Sequence, residues 1–449
     1  MTNGNGKLLG QERLQELAQK ALSFSSADQT QVTIGIGQNS LTRFAGSIIH
    51  QNVAERDATV AVRAIIGKKI GFAVGNSISD EAIKATVEKA IEFARHQQEN
   101  PDFVSLPKPK PIQKPVPTFF DSTAEFSADD RAAAVEKIVK AADKVNAHAA
   151  GSLSTGYSEH IIANSLGINA YDADTSSTFT TVITADTGFG YAQRISSDIT
   201  KLDIDKAADE AAKTADRSRN PEPFEPGEYD VVLTPYCVED MVSFLSWMGF
   251  SALAVQEGRS FMSGKFGQKI CGDNITIWDD GLDPRTNVRP FDGEGFPKQK
   301  VELIKNGVAN AVVYDSYTAY KEGKESTGHA MGGTGTQGPY ATNMFLAPGN
   351  ATVEEMIAST DRGIFVTRFN YTNIVHPLLT IFTGLTRDGT FLIEDGKITK
   401  PIRNLRFTES ILDAFSNVEM IGKDLMLCGA ATVPALKIKN FRFTGATEF

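Results

Sequence analysis

A short phrase occurs twice in the first half of the chain. Gly71-Phe72-Ala73 runs on to Ser79-Asp80, and Gly190-Tyr191-Ala192 runs on to Ser197-Asp198. The same order of local patterns surrounds each copy. In the first, residues 11–24 fit a helix, because Leu14, Leu17, Ala18, Ala21 and Leu22 share one face. Residues 31–36 alternate, with Val32, Ile34 and Ile36 on one side of a strand. The β-rich stretches 59–66 and 69–74 flank Gly67-Lys68 at hairpin spacing. Ser79 stands where a cap is needed for a helix with Ile83, Val87, Ala90, Ile91 and Ala94 on its face. In the second copy Ser127 and Asp130 form a capping-box pattern before a helix with Val135, Ile138, Val139, Ala142 and Val145 on one face. Strand-like stretches follow at 151–156, 178–185 and 189–192, and a helix at 204–215 closes the unit. The parallel predicts two copies of one α/β unit packed together.

Proline marks the seams. Residues 106–117 hold five of the 18 prolines, a density that favours an extended polyproline strut and predicts a solvated spacer between the copies. An SH3-type partner would use the same composition. A second break at 220–227 predicts an N-terminal domain over 1–226 and a C-terminal domain over 227–449. The latter opens with a strand at 229–233 and a helix at 238–255, then many short strands. Asn306-Gly307 and Asp395-Gly396 lie between β-rich runs and suit type I′ hairpins. A short helix fits 353–359. The expected class is α/β (α+β): a duplicated α/β domain followed by a curved, mostly antiparallel β domain with helices.

Composition narrows the function. With 45 Lys and Arg against 55 Asp and Glu the 449-residue chain carries a net charge of −10 and no basic stripe, which argues against gripping nucleic acid. Its three cysteines, Cys237, Cys271 and Cys428, are too few and too far apart for a disulfide framework or a CxxC knuckle. No apolar run reaches the roughly 18 residues of a membrane span. The polar stretch 1–11 lacks the core of a signal peptide, so a cytoplasmic protein is expected.

Familiar catalytic signatures are missing. The six histidines (His50, His96, His148, His160, His329, His376) include no pair three to five residues apart, so no helical zinc pair exists. GxSxG and GxxxxGK[ST] are absent. Gly333 to Gly338 matches GxGxxG but lacks the strand before and the helix after that dinucleotide binding needs, and reads as a mobile Gly-rich loop. The carboxylates of Asp279, Asp280 and Asp283, with Asp292 and Glu294 downstream, could hold a hard cation but read better as a solvated turn. His329, His376 and Cys428 remain as weak metal candidates.

Longer phrases carry a family resemblance. Ser40-Leu-Thr-Arg-Phe44, Gly71-Phe-Ala-Val-Gly75, the run from Glu257 to Gln268, Phe291-Asp-Gly-Glu-Gly295, Ser326-Thr-Gly328, Ile393-Glu-Asp-Gly-Lys397 and Val433-Pro-Ala-Leu-Lys-Ile438 stand in order. Together they resemble the TldD/PmbA family, also called TldD/TldE or "modulator of DNA gyrase". The resemblance implies a heterodimeric zinc metalloprotease acting on unfolded or small peptides. Its TldD branch carries HExxxH just before the phrase at Gly258-Arg259-Ser260. Here those six places read Ser243-Phe244-Leu245-Ser246-Trp247-Met248, which offer no imidazole and no general base. The chain therefore resembles the PmbA/TldE branch: no catalytic residue, no cofactor of its own, and zinc on a TldD-like partner. Cys428-Gly429 lies where the TldD branch takes a third metal ligand, but a lone thiol binds zinc poorly. Gly258, Arg259, Ser260, Lys265 and His329 are the candidates for facing a peptide cavity. Alternatives are a homodimeric hydrolase with a divergent centre at His329, His376, Cys428 or Asp279–Asp283, and a protein-binding regulator of gyrase.

Overall fold

A computed structural model describes residues 8–447, so residues 1–7 of the polar N-terminal stretch lie outside it. The first unit runs α1 (Gln11–Ser23), β1 (Gln29–Ala45), β2 (Ile48–Ile66), β3 (Lys69–Gly75) and α2 (Asp80–His96). After α3 (Asp121–Ala124) the second runs α4 (Ala128–Asp143), β4 (His148–Asn164), β5 (Asn169–Ala185), β6 (Gly188–Ser196) and α5 (Ile204–Arg217). The strands form one six-stranded antiparallel sheet in the order β3-β2-β1-β4-β5-β6. A constant offset of 119 residues separates Gly71 from Gly190 and Gln38 from Tyr157. Gln38 and Tyr157 face each other across β1 and β4, so that pair marks an internal two-fold axis.

The repeated glycine has a packing cause. A Cβ on Gly71 would run into the Ala90 carbonyl oxygen and the Ala94 nitrogen of α2. One on Gly190 would meet the Ala211 oxygen and the Ala215 nitrogen of α5. Each outer strand thus lies on its own helix at backbone contact. All four long helices cover one face of the sheet, burying Leu14, Leu17, Val87 and Ile83 in one unit and Val135, Ile138, Ala208 and Ala211 in the other. The caps form as the sequence predicts: Ser79 accepts from Ala82 N, and Ser127 and Asp130 exchange both bonds of a capping box.

The proline-rich stretch is extended but is not a free spacer. Lys114 Nζ donates to Tyr171 O (2.7 Å) and Asp172 Oδ1 (2.9 Å), Thr118 Oγ1 donates to Ala173 O (2.8 Å), and Thr175 N donates to Thr118 O (3.0 Å). It lies along the β5 edge, and proline suits that place because an edge needs few donors.

Past residue 227 come β7 (Glu228–Leu233), α6 (Pro235–Gly249), α7 (Ala252–Gln256), β8 (Ile277–Asp279), β9 (Val301–Lys305) and β10 (Val308–Ala309). Next are α8 (Ser316–Lys321), β11 (Met344–Leu346), α9 (Val353–Ala358), β12 (Arg362–His376), β13 (Ile381–Glu394), β14 (Lys397–Pro401) and β15 (Leu405–Ser410). The chain ends with α10 (Ile411–Ser416), β16 (Val418–Ile421), β17 (Met426–Cys428), β18 (Ala431–Val433) and β19 (Leu436–Ala446). Strands β12, β7, β19, β15 and β13 close on themselves through the β12–β13 pairing, giving a small barrel. Phe369, Phe382, Phe407 and Phe441 pack together, with Phe407 centred 4.4 Å from Phe369 and 4.8 Å from Phe382. A second sheet runs β10-β9-β8-β11-β18-β17. Helix α6 buries Val238, Met241, Val242, Leu245 and Met248 in the core shared by both.

The helix expected over 238–255 is two helices. Phe250 O accepts from Val313 N and Ala252 N donates to Val313 O, so the chain leaves the helix to pair with residue 313. Both expected I′ turns form, with positive φ at Asn306, Gly307, Asp395 and Gly396. No helix among the described residues is long and apolar enough to cross a membrane.

A buried ion pair joins the two halves. Arg63 Nη2 of β2 donates to Glu294 Oε1 (3.0 Å) and Gln31 Oε1 (2.7 Å), and Gln31 Nε2 donates to Gly293 O (3.1 Å). Ser316 donates to Glu294 from its hydroxyl (2.8 Å) and its amide (3.1 Å).

Gly71→Ala and Gly190→Ala are each expected to destabilise the protein by about 1–3 kcal/mol through overpacking. Gly35→Ala, whose Cβ meets nothing within 4 Å, is expected to be near neutral in the same urea titration. Arg63→Ala leaves Glu294 buried without its cation and is expected to cost about 3–5 kcal/mol.

Candidate functional site

The sheet face not covered by helices looks onto the C-terminal half. Side chains alternate across a strand, so every second residue of β1 and β4 points this way, and several are small: Gly35, Gly37, Gly156 and Ser158. The space they leave is a trough of about 480 Å³ along the sheet. It shares Ser158, His160 and Asp174 with a deeper cavity of about 640 Å³ between the halves. Thr33, His160, Ile162 and Asp174 form one wall of that cavity, and Arg289, Lys298, His329, Tyr340, Asn343 and Gly429 are among the residues opposite. The His160 ring leans on Phe291 at 5.2 Å between centroids. Burial lowers its pKa against the pull of Asp174 and Asp172, so His160 is a neutral imidazole at neutral pH.

The opposite wall rests on a buried polar network. His329 Nε2 lies 2.8 Å from Asp279 Oδ1, and His329 Nδ1 lies 2.9 Å from Thr327 Oγ1. Asn343 N donates to Asp279 Oδ2 (2.8 Å), and Lys298 Nζ stands 3.9 Å from the same carboxylate. Burial would raise the Asp279 carboxyl, but His329, Lys298 and the Asn343 amide outweigh it and hold it at about 2. Burial, then Lys298, pushes the imidazole the other way, so His329 is neutral. One proton assignment satisfies every group: Nε2–H donates to Asp279, the Thr327 hydroxyl donates to Nδ1, and Tyr314 N donates to Thr327 Oγ1 (2.8 Å). The order Thr-His-Asp resembles a nucleophilic triad only in name. The Thr327 hydroxyl is occupied on both sides within the protein.

Next to this wall, α6 meets the turn at Cys428-Gly429. Glu239 Oε1 accepts from Ser243 Oγ (2.6 Å) and Ala430 N (3.4 Å). A Cβ on Gly429 would stand 2.5 Å from the same oxygen, and its φ is +51°, so glycine is needed there twice over. The Cys428 thiol is buried, and that burial together with Glu239 drives its pKa far above neutrality. Burial, then Glu239, raises Asp240 to about 7. A zinc ion does not fit this corner. Ser243 is bound to Glu239, Phe244 packs on Phe382, Met248 is buried, and the thiol holds its proton. No group of three or more His, Cys, Asp or Glu among the described residues is arranged to hold a metal ion.

The remaining sequence candidates are scattered. Gly258 opens onto free space, Arg259 pairs with Glu257 (2.5 Å), and Lys265 is exposed. Ser260 is buried, with its hydroxyl donating to Gly249 O (2.7 Å). None of these four lines the cavity, whereas His329 does. His376 caps the turn after β12 by accepting from Leu379 N (3.3 Å). The acidic cluster is not a solvated turn throughout: Asp279 is fully buried, while Asp283 pairs with Arg285 (2.6 Å). Asp292 accepts three backbone N–H bonds, from Glu294, Phe296 and Ala330. Sequence reasoning missed His160, Asp174, Arg289 and Lys298. The available signal was the polar half of the alternation in β4 and β5.

Three stretches match three parts of one family of metallopeptidase chains. Residues 35–94 match the PmbA/TldA metallopeptidase domain 1, residues 119–219 its central domain, and residues 226–445 its C-terminal domain. The chain belongs to the PmbA/TldD family. It is 27% identical over 378 residues to an uncharacterized protein of Methanocaldococcus jannaschii, covering 81% of this chain and 86% of that one. It is 25% identical over 453 residues to the metalloprotease PmbA of Escherichia coli O157:H7, covering 95% and 96%. The crystal structure of TldE from Thermococcus kodakarensis superposes with a TM-score of 0.86 at 22% identity, covering 96% of this chain and 99% of that chain, and so has the same fold.

Asp279 supplies a test of the network. Its carboxyl sits at about 2 in the fold against an ordinary value of 3.8. A depressed carboxyl contributes stability that is whole above the ordinary value and is lost as pH falls through the folded one, here roughly 2 kcal/mol. Asp279→Asn is therefore expected to lower the melting temperature at neutral pH, and the gap to the parent is expected to close between pH 4 and pH 2.

Proposed function

We propose that this chain is the supporting, TldE-like subunit of a TldD/TldE-type peptidase acting on unfolded or small peptides. In this reading it shapes the peptide cavity and holds no metal, and a TldD-like partner supplies the zinc; a second copy of this chain is the alternative partner. The observation that carries it is the filling of the zinc-motif positions. Ser243, Phe244 and Met248 are each committed to a hydrogen bond or to core packing, and Cys428 cannot replace them. The enclosed space supports a peptide as occupant. Its sheet wall offers glycines, hydroxyls and main-chain groups rather than a shaped apolar pocket, and such surfaces take extended chains with little sequence preference. His160 and Arg289, both lining that space, would contact the bound chain. A cytoplasmic location goes with this role.

The test is reconstitution. The chain purified alone is expected to contain no stoichiometric zinc by elemental analysis and to leave an unfolded peptide intact. Mixed with an HExxxH-bearing relative from the same source, it is expected to form a complex that cleaves the peptide until a chelator is added. Chelator-sensitive cleavage by this chain alone would reverse the assignment, and recovery of gyrase in place of the relative would redirect it.

A further inference from the structure

Strand β13 changes partners along its length, and the change leaves a gap in the barrel wall. It pairs with β15 from Ile381 to Leu385 and with β14 from Phe391 to Glu394. Between these stretches Asp388 and Gly389 also lack a partner in the register with β12. They form a bulge: Asp388 holds a φ of +53°, unusual for a residue with a side chain, and Gly389 one of +122°. The carbonyl oxygens of Arg387, Asp388 and Gly389 all lie within reach of the Thr367 hydroxyl, at 3.1, 2.9 and 2.8 Å. In a trans peptide the N–H points opposite to the C=O, so the amides of Asp388 and Gly389 are turned away from Thr367.

A pocket of about 330 Å³ occupies the gap, and residues 387–390 line it whereas Thr367 does not. Part of its wall is apolar, with Phe189 and Pro221 from the N-terminal half and Ile402 from the barrel. Two guanidiniums stand there as well. Arg387 lies over the Phe189 ring, 5.8 Å from its centre, while Arg403 makes no side-chain hydrogen bond or ion pair among the described residues. The Asn404 side chain accepts from Thr390 Oγ1 through its oxygen (3.4 Å), which leaves its amino group to donate. Asp388 is the only carboxylate among the described lining residues, and it is answered from outside the lining by Arg368 at 2.7 Å. The lining is therefore net positive. We propose that this pocket binds an organic oxyanion, a carboxylate or phosphate carried on a small apolar body. Arg403 and the bulge amides hold the charged end, with Arg387 beside them, and the body lies against Phe189, Pro221 and Ile402. Guanidiniums and successive main-chain amides are the donors that suit an oxyanion, and the volume is at the lower end for small-molecule sites. The pocket shares no lining residue with the cavity between the halves and does not depend on the supporting role proposed above.

The probes are benzoate and phenylphosphate, added to the full-length chain at constant ionic strength. Benzyl alcohol, which lacks the charge, and inorganic sulfate, which lacks the apolar body, are the controls. At least one of the two organic anions is expected to raise the melting temperature and to slow amide hydrogen exchange within residues 387–390. Neither control is expected to do so, and the tighter anion tells carboxylate from phosphate. Arg403→Gln is expected to weaken binding by about tenfold or more. Phe189→Leu, which trims the apolar wall, is expected to weaken it by a smaller factor. That variant also decides the matter should Arg403→Gln misfold, which its circular dichroism would reveal. Absence of binding, protection elsewhere, an equal response to either control, or indifference to both variants overturns the inference.

Discussion

The arrangement depends on one buried ion pair. Arg63 and Glu294 are 3% and 1% exposed, come from different halves of the chain, and are tied further by Gln31 and Ser316. A buried pair is weak evidence for stability, because well-packed apolar residues would serve as well or better. Its effect is on geometry. Apolar surfaces can slide, whereas a guanidinium that must meet a carboxylate and an amide oxygen at hydrogen-bond distance has one seat. The cavity is the gap between two separately packed bodies, so its width is set by what fixes their separation. Arg63 does that from the sheet side, beside the wall that carries His160 and Asp174.

The cavity's chemistry follows from restraint. Its histidines are neutral, its cysteine keeps its proton, and Asp279 is spent on holding His329. Burial first, and neighbours inside the protein second, account for the shifts of Asp240, Cys428 and His329. Perturbed groups gather at catalytic centres, but structural networks perturb them too. Here the network keeps a polar wall rigid.

Much of this was legible in the chain, for identifiable reasons. The duplication showed because backbone-to-helix contact tolerates only glycine, at Gly71 and again at Gly190. Caps and I′ turns showed because they are local. Strand lengths did not: β1 continues to Ala45, but Gln38, Ser40 and Thr42 break the apolar alternation on the helix-covered face, where the buried Arg131 of α4 donates to Thr42. The break of α6 was hidden because residue 313 causes it from far along the chain. The acidic run at Asp279 read as solvated since its partner His329 is fifty residues away, and no local pattern announces such a meeting. Ser260 and its neighbours read as cavity residues by proximity to a motif, whereas the fold buries Ser260 against Gly249 and leaves Gly258, Arg259 and Lys265 exposed.

The internal axis at Gln38 and Tyr157 has an effect on anything long that lies along the trough. Perfect duplication would make the sheet look the same from both ends, and a thread could enter either way round. The copies have diverged at equivalent stations: His160 answers to Leu41, Asp174 to Glu55, and Ser176 to Asp57. Spacing is kept while chemistry changes, so the track retains the even rungs of its ancestor and gains a front and a back.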